Sequence, residues 1–180
     1  MKKHTQKRNS GFTLVEMMVA TFLFTLALTG LMFMSSRGLN ASRNAQNQVV
    51  GSYLALEGIE AVRHVRDSAF ISGDTADWDD VFGSSASTCL GGSVLCHFTY
   101  AQQNSLRIEP CAIVSGIVCP VYKTNTLYDQ SGSPGSTLTS FRRSIRFDQV
   151  SSDEMTVTVV VSWPRGLVEY TTHLFMWSNV

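Results

Sequence analysis

Three sets of residues in this 180-residue chain have types and spacings that could support chemistry. The first is Gly11-Phe12-Thr13-Leu14-Val15-Glu16, where a lone carboxylate falls inside an apolar run. An ionised side chain within a membrane-spanning segment costs about 2.5–3.5 kcal/mol on insertion scales, which makes Glu16 a candidate functional residue. The second set is Cys89, Cys96, Cys111 and Cys119. An even count on an exported chain favours two disulfides; three connectivities are open, and Cys89–Cys96 with Cys111–Cys119 is the simplest. Free or zinc-bound thiols are the alternative, but no C-x-x-C pair is present and the spacings of 7, 15 and 8 fit no common finger. The third set is Asp74, Asp77, Asp79 and Asp80. These could suggest calcium, but no D-x-[DN]-x-[DN]-G loop is present, and a solvated turn is the better reading.

No G-x-S-x-G, H-E-x-x-H or P-loop occurs. His64 reads as a surface residue, His97 and His173 as ordinary sheet residues, and Trp78, Trp163 and Trp177 as core or edge residues. No catalytic residue, cofactor or metal is expected. Fourteen basic and fourteen acidic side chains balance to a formal net charge of +0, which gives nucleic-acid binding no support.

The elements around Glu16 define its setting. Residues 1–10 carry Lys2, Lys3, Lys7 and Arg8 and no acid. From Phe12 to Met34 the chain is apolar apart from Glu16, about the length that crosses a hydrocarbon core as a helix. The basic flank favours a cytoplasmic start, a single pass and an extracytoplasmic remainder. A secretory signal peptide would have a shorter apolar run followed by a small-x-small cleavage site; here the run continues into Ser35-Ser36-Arg37. A plain signal anchor gives no reason for Glu16.

The basic leader, the G-F-T-L-x-E hexapeptide and the uninterrupted apolar run together resemble type IV prepilins and the pseudopilins of type II secretion. The resemblance implies that a membrane prepilin peptidase cuts after Gly11 and N-methylates Phe12. It also carries the family's assembly glutamate onto Glu16. The residue types suit those roles. Gly11 lets a protease approach the backbone closely. The cationic amine of a cleaved Phe12 and the Glu16 carboxylate, of the same or an incoming subunit, would attract far more strongly in a low dielectric than in water. One departure is that many major pilins have a proline in this helix, whereas the first proline here is Pro110; Gly30 alone could loosen it.

Beyond Met34 nothing stops a helix firmly before Arg66, although Gly38, Gly51 and Gly58 weaken it by about 1 kcal/mol each relative to alanine. A helix from Phe12 to Arg66 would be about 80 Å long. Val49, Tyr53, Leu56, Ile59 and Val62 recur at helical spacing and are expected to face the head. Glu57, Glu60, Arg63, His64, Arg66 and Asp67 read as a solvated face, with Glu60–His64 and Arg63–Asp67 as i,i+4 pairs. Residues 54–63 (LALEGIEAVR) and Trp78-Asp79-Asp80 resemble the PilV-like branch of minor pilins.

Residues 67–96 read as a loop-dominated connection. Strands are expected at Val94–Ala101, Ser105–Glu109 and Ala112–Tyr122, with a loop over 129–137. Phe141–Phe147, the alternating run Met155–Trp163 and Leu167–Trp177 form a meander, with a turn at Pro164-Arg165-Gly166. The expected fold is α+β and pilin-like: a long N-terminal helix on a C-terminal antiparallel sheet. Its divisions are a leader (1–11), a membrane or filament-core half-helix (12–34), a second half-helix (35–66) and a β-rich head (67–180).

The expected function is that of a minor type IV pilus subunit in the cytoplasmic membrane, and then in a cell-surface filament. Its partners would be the prepilin peptidase, other pilin subunits, the membrane and the pilus assembly platform. A minor pseudopilin of type II secretion is the alternative, since the same processing serves both machines. A membrane-anchored binding protein that forms no filament is the second alternative.

Overall fold

A buried arginine on the central strand fixes how the head is assembled. The computed structural model describes residues 11–73, 77–83, 86–100, 106–114, 116–125 and 127–176. Helix α1 runs Leu14–Ser72, past the expected end at Arg66. The chain divides between Arg43 and Asn44 into two units. The first holds the apolar stretch of α1. The second holds the rest of α1 and everything that follows.

In the second unit a seven-stranded antiparallel sheet is built on a meander of β7 (Thr137–Gln149), β8 (Glu154–Trp163) and β9 (Gly166–Phe175). The period-2 pattern of β8 works as expected: Met155, Val157, Val159, Val161 and Trp163 are all buried. Pro164 and Arg165 form the turn, and Trp163 pairs with Gly166. The other edge of β7 is forked. β5 (Pro120–Thr124) takes its first half and β1 (Cys96–Tyr100) touches it at Cys96↔Ile145. β2 (Leu106–Pro110) pairs with β1, and β6 (Leu127–Asp129) with β5. The expected strand over 112–122 is instead the hairpin β3 (Ile113–Val114) and β4 (Ile117–Val118), followed by β5.

Gln130 plugs the fork. Its Nε2 donates to the Arg143 carbonyl at 2.7 Å and the Cys119 carbonyl at 3.4 Å, and its Oε1 accepts from Arg143 Nε at 3.0 Å. Arg143 itself is fully buried. Its Nη1 donates to Glu57 Oε2 at 2.6 Å and to the Leu54 carbonyl at 3.2 Å, and its guanidinium lies 4.0 Å from the Phe98 ring centre. Burial pushes the guanidinium below the usual arginine range, and Glu57 opposes that shift.

The helix face that meets the sheet differs from the expected stripe. Ile59 and Val62 are buried, but Val49, Tyr53 and Leu56 are at least half exposed. The buried positions are Gly51, Leu54, Ala55, Gly58, Ile59, Ala61, Val62 and Ala69. Five of these eight are glycine or alanine, whose small side chains let the helix backbone approach. A Cβ on Gly51 would lie 2.8 Å from the Trp163 ring, and one on Gly58 would lie 2.8 Å from Val159 Cγ1. Trp163 Nε1 also donates to Asn44 Oδ1 at 3.1 Å. Glu57 is drawn off the solvated face by Arg143, while Arg63 pairs with Glu60 and Asp67 with Arg66.

The polar connection contains a second helix, α2 (Trp78–Phe82), where a loop was expected. Asp77 caps it, its side chain accepting from Asp80 N at 2.9 Å. Trp78, Val81 and Phe82 are buried, and Phe82 packs on Phe147. Asp74 and Trp177 lie outside the described residues. Both disulfides have the sequential pairing, Cys89–Cys96 and Cys111–Cys119. Chain entropy gives about 2–3 kcal/mol for closing loops this short. The second bridge closes the β3–β4 hairpin, and Cys119 adopts φ 52° beside the fork.

Two stability changes follow. Glu57→Ala strands a fully buried cation and is expected to cost about 3–5 kcal/mol in denaturant unfolding of the head. Glu57→Leu with Arg143→Met is expected to recover much of that loss. Gly58→Ala is expected to destabilise by about 1–3 kcal/mol despite the better helix propensity of alanine, because Val159 must shift; an unchanged or higher midpoint would contradict the close approach.

Candidate processing and assembly site

Residues 11–16 lie where the chain enters α1. Thr13 is the N-cap: its Oγ1 accepts from Glu16 N at 3.3 Å, and Met17 N bonds to the Thr13 carbonyl at 3.2 Å. Glu16 is therefore the acidic residue of the first turn, on the side of the helix dipole that favours a negative charge. The spacing T-x-x-E is that of a capping box. Gly11 is exposed, with nothing near its Cα that a side chain would meet. Phe12 is 79% exposed, so the Gly11–Phe12 bond and both flanking residues are open to another molecule.

The helix that follows presents apolar side chains to its surroundings along its whole first half. Leu14, Val15, Met18, Phe22, Leu23, Phe24, Leu31 and Met34 are all mostly exposed. Water does not hold such a surface; a bilayer or other apolar helices do. The polar groups within the run are satisfied inside it. Thr21 Oγ1 donates to the Met17 and Met18 carbonyls, Thr25 Oγ1 to Phe22 and Thr29 Oγ1 to Leu26, at 2.8–3.0 Å. Glu16 differs, since among the described residues its carboxylate has no ion-pair partner. Gly30 has open space around it, and the helix continues through it.

Residues 6–32 match the family model described as the prokaryotic N-terminal methylation motif. No curated protein and no solved structure matches the chain. The motif supports a prepilin of the type IV family, a substrate for prepilin peptidase that assembles with other pilins. The apolar helix fits membrane anchoring with an extracytoplasmic C-terminal unit.

In the head, two buried groups lie beyond the expected site residues, Arg143 and His97. Arg143 occupies an inward position of the alternation Phe141, Arg143, Ile145, Phe147, so its spacing was the available signal. His97 is 8% exposed on β1, and among the described residues its Nδ1 has no hydrogen-bond partner. Burial holds its pKa below 6.5; Glu109 pulls the other way and Arg143 adds to the lowering. The native state thus binds the proton more weakly than the unfolded chain. Stability on this account is complete above pH 6.5 and is lost as pH falls below it towards the native pKa. Chemical denaturation between pH 7.5 and 5 is expected to show that loss, and His97→Gln to flatten it.

Proposed function

We propose that the chain is the precursor of a minor type IV pilus subunit. Prepilin peptidase cuts between Gly11 and Phe12 and methylates the new Phe12 amine. The subunit waits in the cytoplasmic membrane, residues 12–34 spanning it and the head outside, until the assembly platform moves it into the filament. Residues 12–34 then leave lipid for a core of like helices, and residues 35–66 and the head (67–180) lie outside that core. Glu16 meets the cationic amine of Phe12 on a neighbouring subunit, which sets the axial register.

The observation that carries this reading is the matched motif ending in an exposed apolar helix whose one carboxylate has no partner within the described chain. A charge that is costly in lipid is retained where an opposite charge awaits it. At 4 Å and an effective dielectric near 20 the attraction is about 4 kcal/mol. The likeness of residues 54–63 and 78–80 to PilV-like minor pilins supports a pilus over type II secretion.

Glu16→Val tests the register role. Cleavage at Gly11 is expected to be normal, while the amount of subunit recovered in sheared filaments falls at least tenfold. Normal incorporation of a normally cleaved Glu16→Val chain would refute it.

A further inference from the structure

Among the described residues β9 pairs with β8 alone, which leaves its outer edge of backbone N–H and C=O groups open. Open edges are usually blunted by shortness, proline, lysine or bulges. β9 has none of these: it is ten residues long, reads GLVEYTTHLF, and runs in unbroken register from Phe175 to Gly166 against β8. It also exposes Leu167 (62%), Phe175 (51%) and Tyr170 (38%). A long, flat edge that exposes Leu167, Tyr170 and Phe175 is a template for a partner strand.

The side chains say which strand. Leu167, Glu169, Thr171, His173 and Phe175 share the face away from α1, since their β8 neighbours Thr156 and Thr158 bond to His173 and Thr171 there. The sequence along that face is palindromic in chemistry about Thr171. Laid antiparallel on itself, the strand sets Leu167 opposite Phe175, Glu169 opposite His173 and Thr171 opposite Thr171. On the other face Val168 meets Leu174 and Tyr170 meets Thr172. Thr171–Thr171 and Tyr170–Thr172 are pair types that stabilise antiparallel neighbours, Leu167–Phe175 and Val168–Leu174 set apolar against apolar, and Glu169 comes to face His173, which Glu154 of its own chain holds at 2.8 Å. We propose that β9 is a self-complementary edge that binds β9 of a second copy of this chain, on a two-fold axis through Thr171. The inference rests on the strand and not on the prepilin reading.

All four cysteines are in disulfides, so one added cysteine is the sole free thiol. The test is oxidative cross-linking of the full chain in detergent with copper phenanthroline. Thr171→Cys is expected to give covalent dimer rapidly, because its two copies face each other within disulfide reach. Glu169→Cys alone and His173→Cys alone are expected to give little, but their equimolar mixture is expected to cross-link as Thr171→Cys does. Adding Thr171→Lys to that mixture places like charges on the axis and is expected to slow cross-linking several-fold. Equal cross-linking of all three single variants would mean association through the apolar helix alone, and no dimer from Thr171→Cys would mean that β9 takes no second copy. Either result overturns the proposal.

Discussion

The head is organised around one buried guanidinium. Arg143 leaves the central strand, crosses to the helix and binds it at two points one turn apart, the Leu54 carbonyl and the Glu57 carboxylate. A cation in that position cannot be left unpaired, so helix and sheet are tied in one register. Gln130 holds the other side of the guanidinium and also the carbonyls of Arg143 and Cys119 at the fork between β1 and β5. The forked edge, the second disulfide and the helix contact are thus coupled through two side chains, Arg143 and Gln130. Gly51, Ala55 and Gly58 bring the helix close enough for this to happen, and Trp163 and Val159 occupy the space that larger residues would fill.

The chain places a second charge in an apolar setting and treats it in the opposite way. Arg143 has its counter-ion within the same fold. Glu16, at the first turn of an exposed apolar helix, has none among the described residues. A partner satisfied internally gives stability and register to one molecule. A partner supplied from outside gives them to an assembly. On the proposed function, the amine released at Phe12 is that partner, and the cost of Glu16 in lipid is offset only when subunits meet.

Much of this was legible in the sequence, for reasons tied to particular residues. The leader motif is local and covalent in meaning, so it needs no tertiary context. The alternation of Met155 to Trp163 and the two-residue turn at Pro164-Arg165 specify a hairpin by period and turn chemistry. The pairing of Cys89 with Cys96 and of Cys111 with Cys119 follows the shortest loops. The helix face is legible only in part: Ile59 and Val62 of the expected stripe are buried, but Gly51, Ala55 and Gly58, which carry little periodic signal, mark the close approach, and Tyr53 and Leu56 are exposed. Helix α2 was missed since five residues among serines, glycines and aspartates carry little periodic signal, although Asp77 before Trp78-x-x-Val81-Phe82 is a cap before an apolar i,i+3,i+4 set. Glu57 looked solvated because its partner is 86 residues away.

The central claim is that Gly11–Phe12 is a processing site, and intact mass with N-terminal sequencing of the protein from membranes of a peptidase-competent host tests it most directly. The account predicts a mature chain of residues 12–180 that begins with N-methylated Phe12. A chain that keeps Met1–Gly11 under those conditions would contradict it, and would leave an envelope protein anchored through its uncleaved N-terminal helix.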